Sequence, residues 1–205
     1  MTAADFNALA QILPPERIVT TPERLETLSR DFYWYSPVLK RELSDKLAEA
    51  VVQPATRAEV TALAAFAHQR RIPLTLRGAG TGNYGQCIPT RGGIVMDLAA
   101  LDTIHSISTD GVATCDPAAR LGAIERVARQ TGWELRCYPS TYVKASVAGF
   151  CAGGSGGIGS IEWGALRENG TVHSLTVMSL EAQPREFRLT GQDIFQVLHA
   201  WGTNG

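Results

Sequence analysis

Apolar and polar positions along this chain follow two registers. Short β-branched runs alternate with stretches whose apolar residues recur three and four apart, which predicts interleaved strands and helices. Val51-Val52-Gln53-Pro54 reads as a strand stopped by proline. Thr56, with Glu59 three residues on, reads as a capping box opening a helix whose apolar face is Val60, Leu63, Ala64 and Ala67. Residues 72–76 predict the next strand, giving a βαβ-like unit that runs straight into glycine-rich backbone, and ligands of such units tend to sit beyond strand carboxyl ends. Residues 93–98 predict a third strand. Pro117 is expected to open a helix with Leu121, Ile124, Val127 and Ala128 on one face, and Gly132 to stop it. Further strands are expected over 175–180 and 186–189, and a helix over 193–200.

Residues 1–50 are expected to form a helical lead-in to a main domain spanning 51–205. A short helix over 5–13 ends at Pro14-Pro15, and a second begins near Pro22 with Thr21 as its cap. The segment Asp31-Phe32-Tyr33-Trp34-Tyr35-Ser36-Pro37 concentrates aromatics at a break, where they are expected to pack this arm onto the main body.

Composition narrows the function classes. The chain has 205 residues, 44% hydrophobic and 19% charged, with a formal net charge of -1, which is ordinary for a globular domain and offers no basic footprint for nucleic acid. No apolar run is long enough to span a bilayer, and the N-terminus lacks a signal-peptide pattern, so a cytoplasmic protein is expected. Cys87, Cys115, Cys137 and Cys151 show no C-x-x-C spacing and read as buried free thiols. No His-Glu or His-Cys spacing supports a metal site. The outlier is glycine, with 20 residues unevenly placed.

The glycines gather in two stretches. Arg77-Gly78-Ala79-Gly80-Thr81-Gly82-Asn83 follows a strand, and small residues there permit positive φ and outward-facing amides, a nest suited to an anion such as a pyrophosphate. Arg77 either adds charge for that anion or makes a structural ion pair. The spacing matches neither a P-loop nor a strict G-x-G-x-x-G, so a tight turn is the favoured reading of this loop taken alone. The second stretch runs from Pro139-Ser140 through Ser146, Val147, Gly149, Cys151, Ala152, Gly153, Gly156, Gly157 and Ile158. So little side chain cannot fill a core by itself, and a flat, extended cofactor against exposed amides and the faces of Val147 and Ile158 would supply the packing surface.

Together, the Val52-Gln53-Pro54-Ala55-Thr56-x-x-Glu59 run, the Arg77–Thr81 loop, Ile94-Val95-Met96-Asp97-Leu98 and the 139–157 block resemble the FAD-binding domains of the vanillyl-alcohol oxidase, or p-cresol methylhydroxylase (PCMH), type, in the glycolate oxidase D-subunit and D-lactate dehydrogenase branch. The resemblance covers residues 30–205. It implies an α+β, two-lobed PCMH-type fold, two small α/β subdomains with FAD between them. It implies that Arg77, Gly78, Ala79, Gly80, Thr81, Gly82 and Asn83 wrap the pyrophosphate, that Pro139, Ser140 and the 146–158 residues continue the cradle toward the flavin, and that Val177 lies near the adenine. Gly202-Thr203-Asn204-Gly205 resembles a family motif normally followed by a substrate domain, so that domain is expected to be absent and the chain alone inactive.

The implied chemistry is oxidation of a 2-hydroxy acid or related alcohol by hydride transfer to flavin N5, with electrons passed to an acceptor or partner subunit. The catalytic base is not assigned in this chain. Where relatives that attach FAD covalently carry histidine, this chain has Thr81, and Cys151 matches an apolar position, so FAD is expected to be non-covalent. Glu162-Trp163-Gly164 departs from the basic or polar residue and tyrosine found in relatives, which disfavours a substrate carboxylate there unless Arg167 compensates. His68, His105 and His173 read as structural or exposed, and His199 is kept as a flavin-proximal candidate. Asp97 reads as a local hydrogen-bond partner. A non-catalytic FAD-binding or regulatory module, and an oxidase of a non-acid alcohol, stay open as alternatives.

Overall fold

The computed structural model describes residues 1–167 and 170–205 and divides into two units: residues 1–100 with 178–185, and residues 101–177 with 186–205. In the first unit a capping box between Thr2 and Asp5 opens α1 (Ala3–Leu9). This helix is shorter than its sequence pattern predicts, because the N–H groups of Gln11 and Ile12 bond three residues back and tighten the chain. Strand β1 (Ile18–Val19) and helix α2 (Pro22–Leu28) follow, and the Thr21 side chain makes no cap bond to α2. A 3-10 turn over Tyr33–Tyr35 leads to α3 (Pro37–Leu43), capped by Ser36, then to β2 (Ala50–Val52).

Helix α4 (Arg57–Arg70), β3 (Leu74–Arg77) and β4 (Ile94–Asp97) complete a sheet of order β1-β2-β4-β3. Strands β2 and β3 run parallel to β4, and β1 is antiparallel to β2. All residues of β2 and β4 are buried, which is why both read as continuous apolar runs rather than as alternation. The Thr56–Glu59 capping box is present, and Arg17 forks onto the Glu59 carboxylate at 2.7 and 2.6 Å. Helix α4 buries Leu63, Ala64, Phe66 and Ala67, whereas Val60 is half-buried, so the buried stripe is rotated toward Phe66.

The lead-in residues supply core on both faces of this sheet. Leu9 and Leu13 pack with Val52, Leu63, Phe66, Ile94 and Met96, while Leu25 and Leu28 pack against Val19, Ala48, Val51 and Val95. At about 1.5–3 kcal/mol for each large apolar side chain removed from water, these contacts make α1 and α2 integral to the unit. At the entry to β4, Gly93 has φ +71, and a Cβ there would stand 2.3 Å from the Pro73 carbonyl oxygen.

The second unit begins with β5 (Ile104–Ile107) and β6 (Ala113–Cys115), an antiparallel pair. Helix α5 (Leu121–Gln130) starts four residues after Pro117, not at it. The reason is tertiary: the N–H groups of Ala118 and Ala119 bond to Leu101 and Asp116, Arg120 stays extended, and the first helical amides of Leu121 and Gly122 are capped by the carbonyls of Ala145 and Tyr142. Val127 is exposed, and Glu125 takes its place on the buried face, where its carboxylate accepts from Arg129 and the Leu135 N–H.

The glycine-rich stretch is not all loop. It contains α6 (Val147–Gly153) and the short α7 (Ser160–Trp163). Helix α6 forms because the Val147 and Ala148 N–H groups find the Ala119 and Pro117 carbonyls, and because Phe150 and Cys151 give it an apolar face. Strands β7 (Ser174–Met178) and β8 (Glu186–Thr190) pair, and the helix expected over 193–200 is a 3-10 helix over Gly191–Gln196. The core of this unit joins Leu121, Ile124, Cys137, Phe150, Cys151, Leu166, Ile194 and Leu198.

Candidate functional site

Strand β3 ends at Arg77 and the chain turns through Gly80, at φ +63. Among the described residues, no acceptor lies on the N–H groups of Gly78, Ala79, Gly80, Thr81, Gly82 and Asn83. Partly exposed amides that secondary structure leaves unpaired need a partner from outside the chain, and a run of them is a ready anion nest. The loop is nonetheless held firmly. Gly82 accepts the Phe32 N–H at 2.8 Å, and the N–H groups of Gly85 and Gln86 donate to the Asp31 carboxylate at 3.0 Å each.

Arg77 is hydrogen-bonded within the protein. Its Nη1 donates to the Arg30 carbonyl at 2.6 Å and lies 3.3 Å from Cys87 Sγ. Burial pushes the Cys87 thiol up to about 11 and keeps it neutral. Asp97 is buried and accepts from Gln53 Nε2 at 2.9 Å and from the Ala99 N–H, a local partner as expected.

The remaining candidates lie in the second unit and divide into those that pack and those that face open space. A Cβ on Gly157, at φ +59, would stand 1.9 Å from the Tyr138 carbonyl oxygen, and one on Gly156 2.5 Å from Ser160 Cβ. Cys151 is buried in the core, with its thiol pushed up to about 12 by desolvation. Ser146 Oγ is buried with no hydrogen-bond partner among the described residues, against Gly149. By contrast, among the described residues nothing beyond its own helix and chain neighbours lies within 4 Å of where a Gly153 Cβ would project, Ile158 is 72% exposed, and Ser140 is exposed. Pro139, Val147, Ala152 and Val177 are half-buried. Gly149 is exposed as well, so the open candidates are Ser140, Gly149, Gly153 and Ile158.

The histidines sort similarly. His68 is exposed, His105 pairs with Asp116 at 2.9 Å, and His173 lines a cavity of about 340 Å³ with Ile194 and Phe195. His199 lies on the second block: its ring rests over Gly154 and its N–H donates to the Cys151 carbonyl at 3.1 Å. Arg136 stacks on Trp163 at 4.7 Å and Arg167 on Phe195 at 5.6 Å. Among the described residues, no group of three or more His, Cys, Asp or Glu could hold a metal. No helix among them is long and apolar enough to cross a membrane.

The sequence reading missed Asp31 and the exposure of its neighbours. Tyr33 is buried as expected for an arm packed on the body, but Phe32, Trp34 and Tyr35 are 36%, 48% and 67% exposed. The legible signal was Asp31 itself, since an aspartate two residues before a turning amide is an Asx-turn pattern, and Asp31 Oδ1 accepts the Tyr33 N–H at 2.9 Å.

Donors of this kind fit the pyrophosphate of FAD: a glycine-turned loop of unpaired amides, with no carboxylate among the described residues directed at them in place of a ligand. Comparison with known proteins bears on the family. The chain is 31% identical over 132 residues to D-lactate dehydrogenase of Archaeoglobus fulgidus, covering 64% of this chain, and 30% identical over 144 residues to the glycolate oxidase subunit GlcD of Escherichia coli, covering 70%. It spans 28% of the length of each. The fold matches alkyldihydroxyacetonephosphate synthase with a TM-score of 0.81 over 99% of this chain and 38% of that one, at 16% identity. It also matches Phl p 4, a grass pollen allergen with glucose dehydrogenase activity, with a TM-score of 0.74 over 97% and 41%, again at 16% identity, so these two likenesses bear on fold alone. Residues 48–183 match the model of the FAD binding domain family, and the chain belongs to that family, with the α+β PCMH-type fold.

Proposed function

We propose that this chain binds FAD non-covalently and serves a flavin-dependent oxidoreductase acting on a 2-hydroxy acid or a related alcohol. The observation that carries the reading is the run of unpaired amides from Gly78 to Asn83, within the segment that matches the family. In this reading those amides hold the pyrophosphate; within the second unit, Ser140, Gly149, Gly153 and Ile158 are the open candidates for cofactor contact, and Pro139, Val147, Ala152 and Val177 are half-buried ones. The deeper candidates, Ser146, Cys151, Gly156 and Gly157, shape the second block from behind. Arg77 supports the loop from below.

Bound FAD supplies a two-electron acceptor, and the protein contributes placement, electrostatics and exclusion of water. The substrate class follows from the relatives named D-lactate dehydrogenase, glycolate oxidase subunit and D-2-hydroxyglutarate dehydrogenase. A cytoplasmic location is part of the proposal, supported by the four free cysteines.

Reconstitution tests the binding. The purified chain titrated with FAD should quench flavin fluorescence saturably, and inorganic pyrophosphate should compete. Lack of any saturable quenching would remove the basis of the reading. For the substrate class, D-lactate, glycolate or D-2-hydroxyglutarate is added anaerobically to the FAD-loaded protein. Bleaching of the flavin by one of them, absent with ethanol, supports it. Normal FAD affinity without bleaching moves the chemistry to groups outside this chain.

A further inference from the structure

Asp31 is 5% exposed, and both its oxygens are engaged by backbone. Oδ1 accepts the Tyr33 N–H at 2.9 Å, and Oδ2 accepts those of Gly85 and Gln86 at 3.0 Å each. The next residue, Phe32, donates its N–H to Gly82 at 2.8 Å. Residues 31–33 therefore grip the exit of the glycine-rich loop at Gly82, Gly85 and Gln86. At the entrance, Arg77 donates to the carbonyl of Arg30, and its guanidinium fills the space where a Cβ of Gly80 would project, 2.2 Å from Nη2. The span with unpaired amides is thus fastened at both ends to the one short segment 30–33.

Burial raises the pKa of Asp31, while its three N–H bonds and the charge of Arg77 favour the ionised form. A carboxylate is the group this place requires. It offers two acceptor oxygens and no donor, whereas an asparagine of the same size must turn its NH₂ toward the Tyr33 N–H or toward those of Gly85 and Gln86.

We propose that Asp31 is a positioning residue for cofactor binding: by clamping the loop exit, its carboxylate keeps the Gly78–Asn83 amides converged on a pyrophosphate that it does not itself touch. Arg77 is its counter-charge within the base of the loop, not the ligand's. This deepens the reading of that loop as a pyrophosphate cradle and rests on it.

The test compares the wild-type chain with Asp31→Asn. Saturable FAD binding by the wild type secures the underlying reading, so a failure of that reading is seen separately. In Asp31→Asn the Kd for FAD, measured on the folded fraction, should rise at least tenfold, and amide shifts of residues 78–83 on adding inorganic pyrophosphate should weaken. A lower melting temperature with unchanged Kd would mean a merely structural role and would overturn the proposal. Should the variant not fold, amide hydrogen exchange in the ligand-free wild type decides: protected Gly85 and Gln86 amides support the clamp, and amides exchanging as fast as an open loop refute it.

Discussion

Gly157 lies so close under Tyr138 that a Cβ on it would come within 1.9 Å of the Tyr138 carbonyl oxygen, and its φ of +59 is a left-handed value. Both facts belong to packing between two backbone segments. Gly157→Ala is therefore expected to destabilise the protein whatever the ligand, by on the order of 2 kcal/mol from the conformation alone and more from the clash. For a chain of this size that is a fall of roughly 4–8 °C in melting temperature. Equal melting of variant and wild type without FAD would show that this close approach is not made in solution.

Gly153 is the opposite case. Among the described residues, nothing beyond its own helix and chain neighbours lies within 4 Å of the place where its Cβ would project, and its φ needs no glycine. Gly153→Val should leave the unfolding free energy of the cofactor-free chain within about 0.5 kcal/mol of wild type, as for surface substitutions. If FAD passes over this face, the added side chain should raise its Kd at least tenfold. Fluorescence titration giving the wild-type Kd would take Gly153 out of the site.

The contrast between these two glycines shows how far the sequence could be read. Periodicity located β2, α4, β3 and β4, because the Thr56–Glu59 box and the apolar runs are local signals that tertiary structure reinforces. It placed α5 too early, because that helix is capped by the distant carbonyls of Ala145 and Tyr142 and no local residue announces them. Helix α6 was hidden for the same reason, its first amides depending on Pro117 and Ala119. In the candidate site, glycine content singled out both stretches, yet it could not separate glycines that admit a neighbouring backbone, as at Gly157, from one that faces open space, as at Gly153. Arg77 could be read as facing a ligand or facing inward, and only the position of the Arg30 carbonyl decides between them.

The Arg17–Glu59 pair makes the first unit acid-sensitive. Hydrogen bonding to Arg17 holds the Glu59 carboxyl down at about 2, against 4.5 ordinarily. A folded-state pKa below the unfolded one stabilises the fold fully above the unfolded value, and that contribution disappears as pH falls from about 4.5 toward about 2. Glu59→Gln should thus be less stable than wild type at pH 7, with the difference shrinking through this window in urea unfolding. The cap partner gives a second check: Thr56→Ala should cost about 1 kcal/mol, with no such pH dependence. A Glu59→Gln difference that stays constant down to pH 2 would mean the ion pair contributes nothing.

Attachment of flavin to this chain would need a nucleophile at the cofactor. Cys151 is the candidate inside the second block, but the thiolate is the reactive form, and burial in the core pushes its pKa up to about 12. At pH 7 the thiol is almost wholly protonated and packed among Ile124, Phe150 and Leu198. In the first loop Thr81 offers only a hydroxyl of ordinary reactivity. Acid precipitation of the FAD-loaded chain should accordingly leave all flavin in the supernatant, for wild type and for Cys151→Ala alike. Yellow colour retained in the wild-type pellet and lost in the variant would establish a cysteinyl linkage. It would also require α6 to open far enough to bring this thiol out of the core.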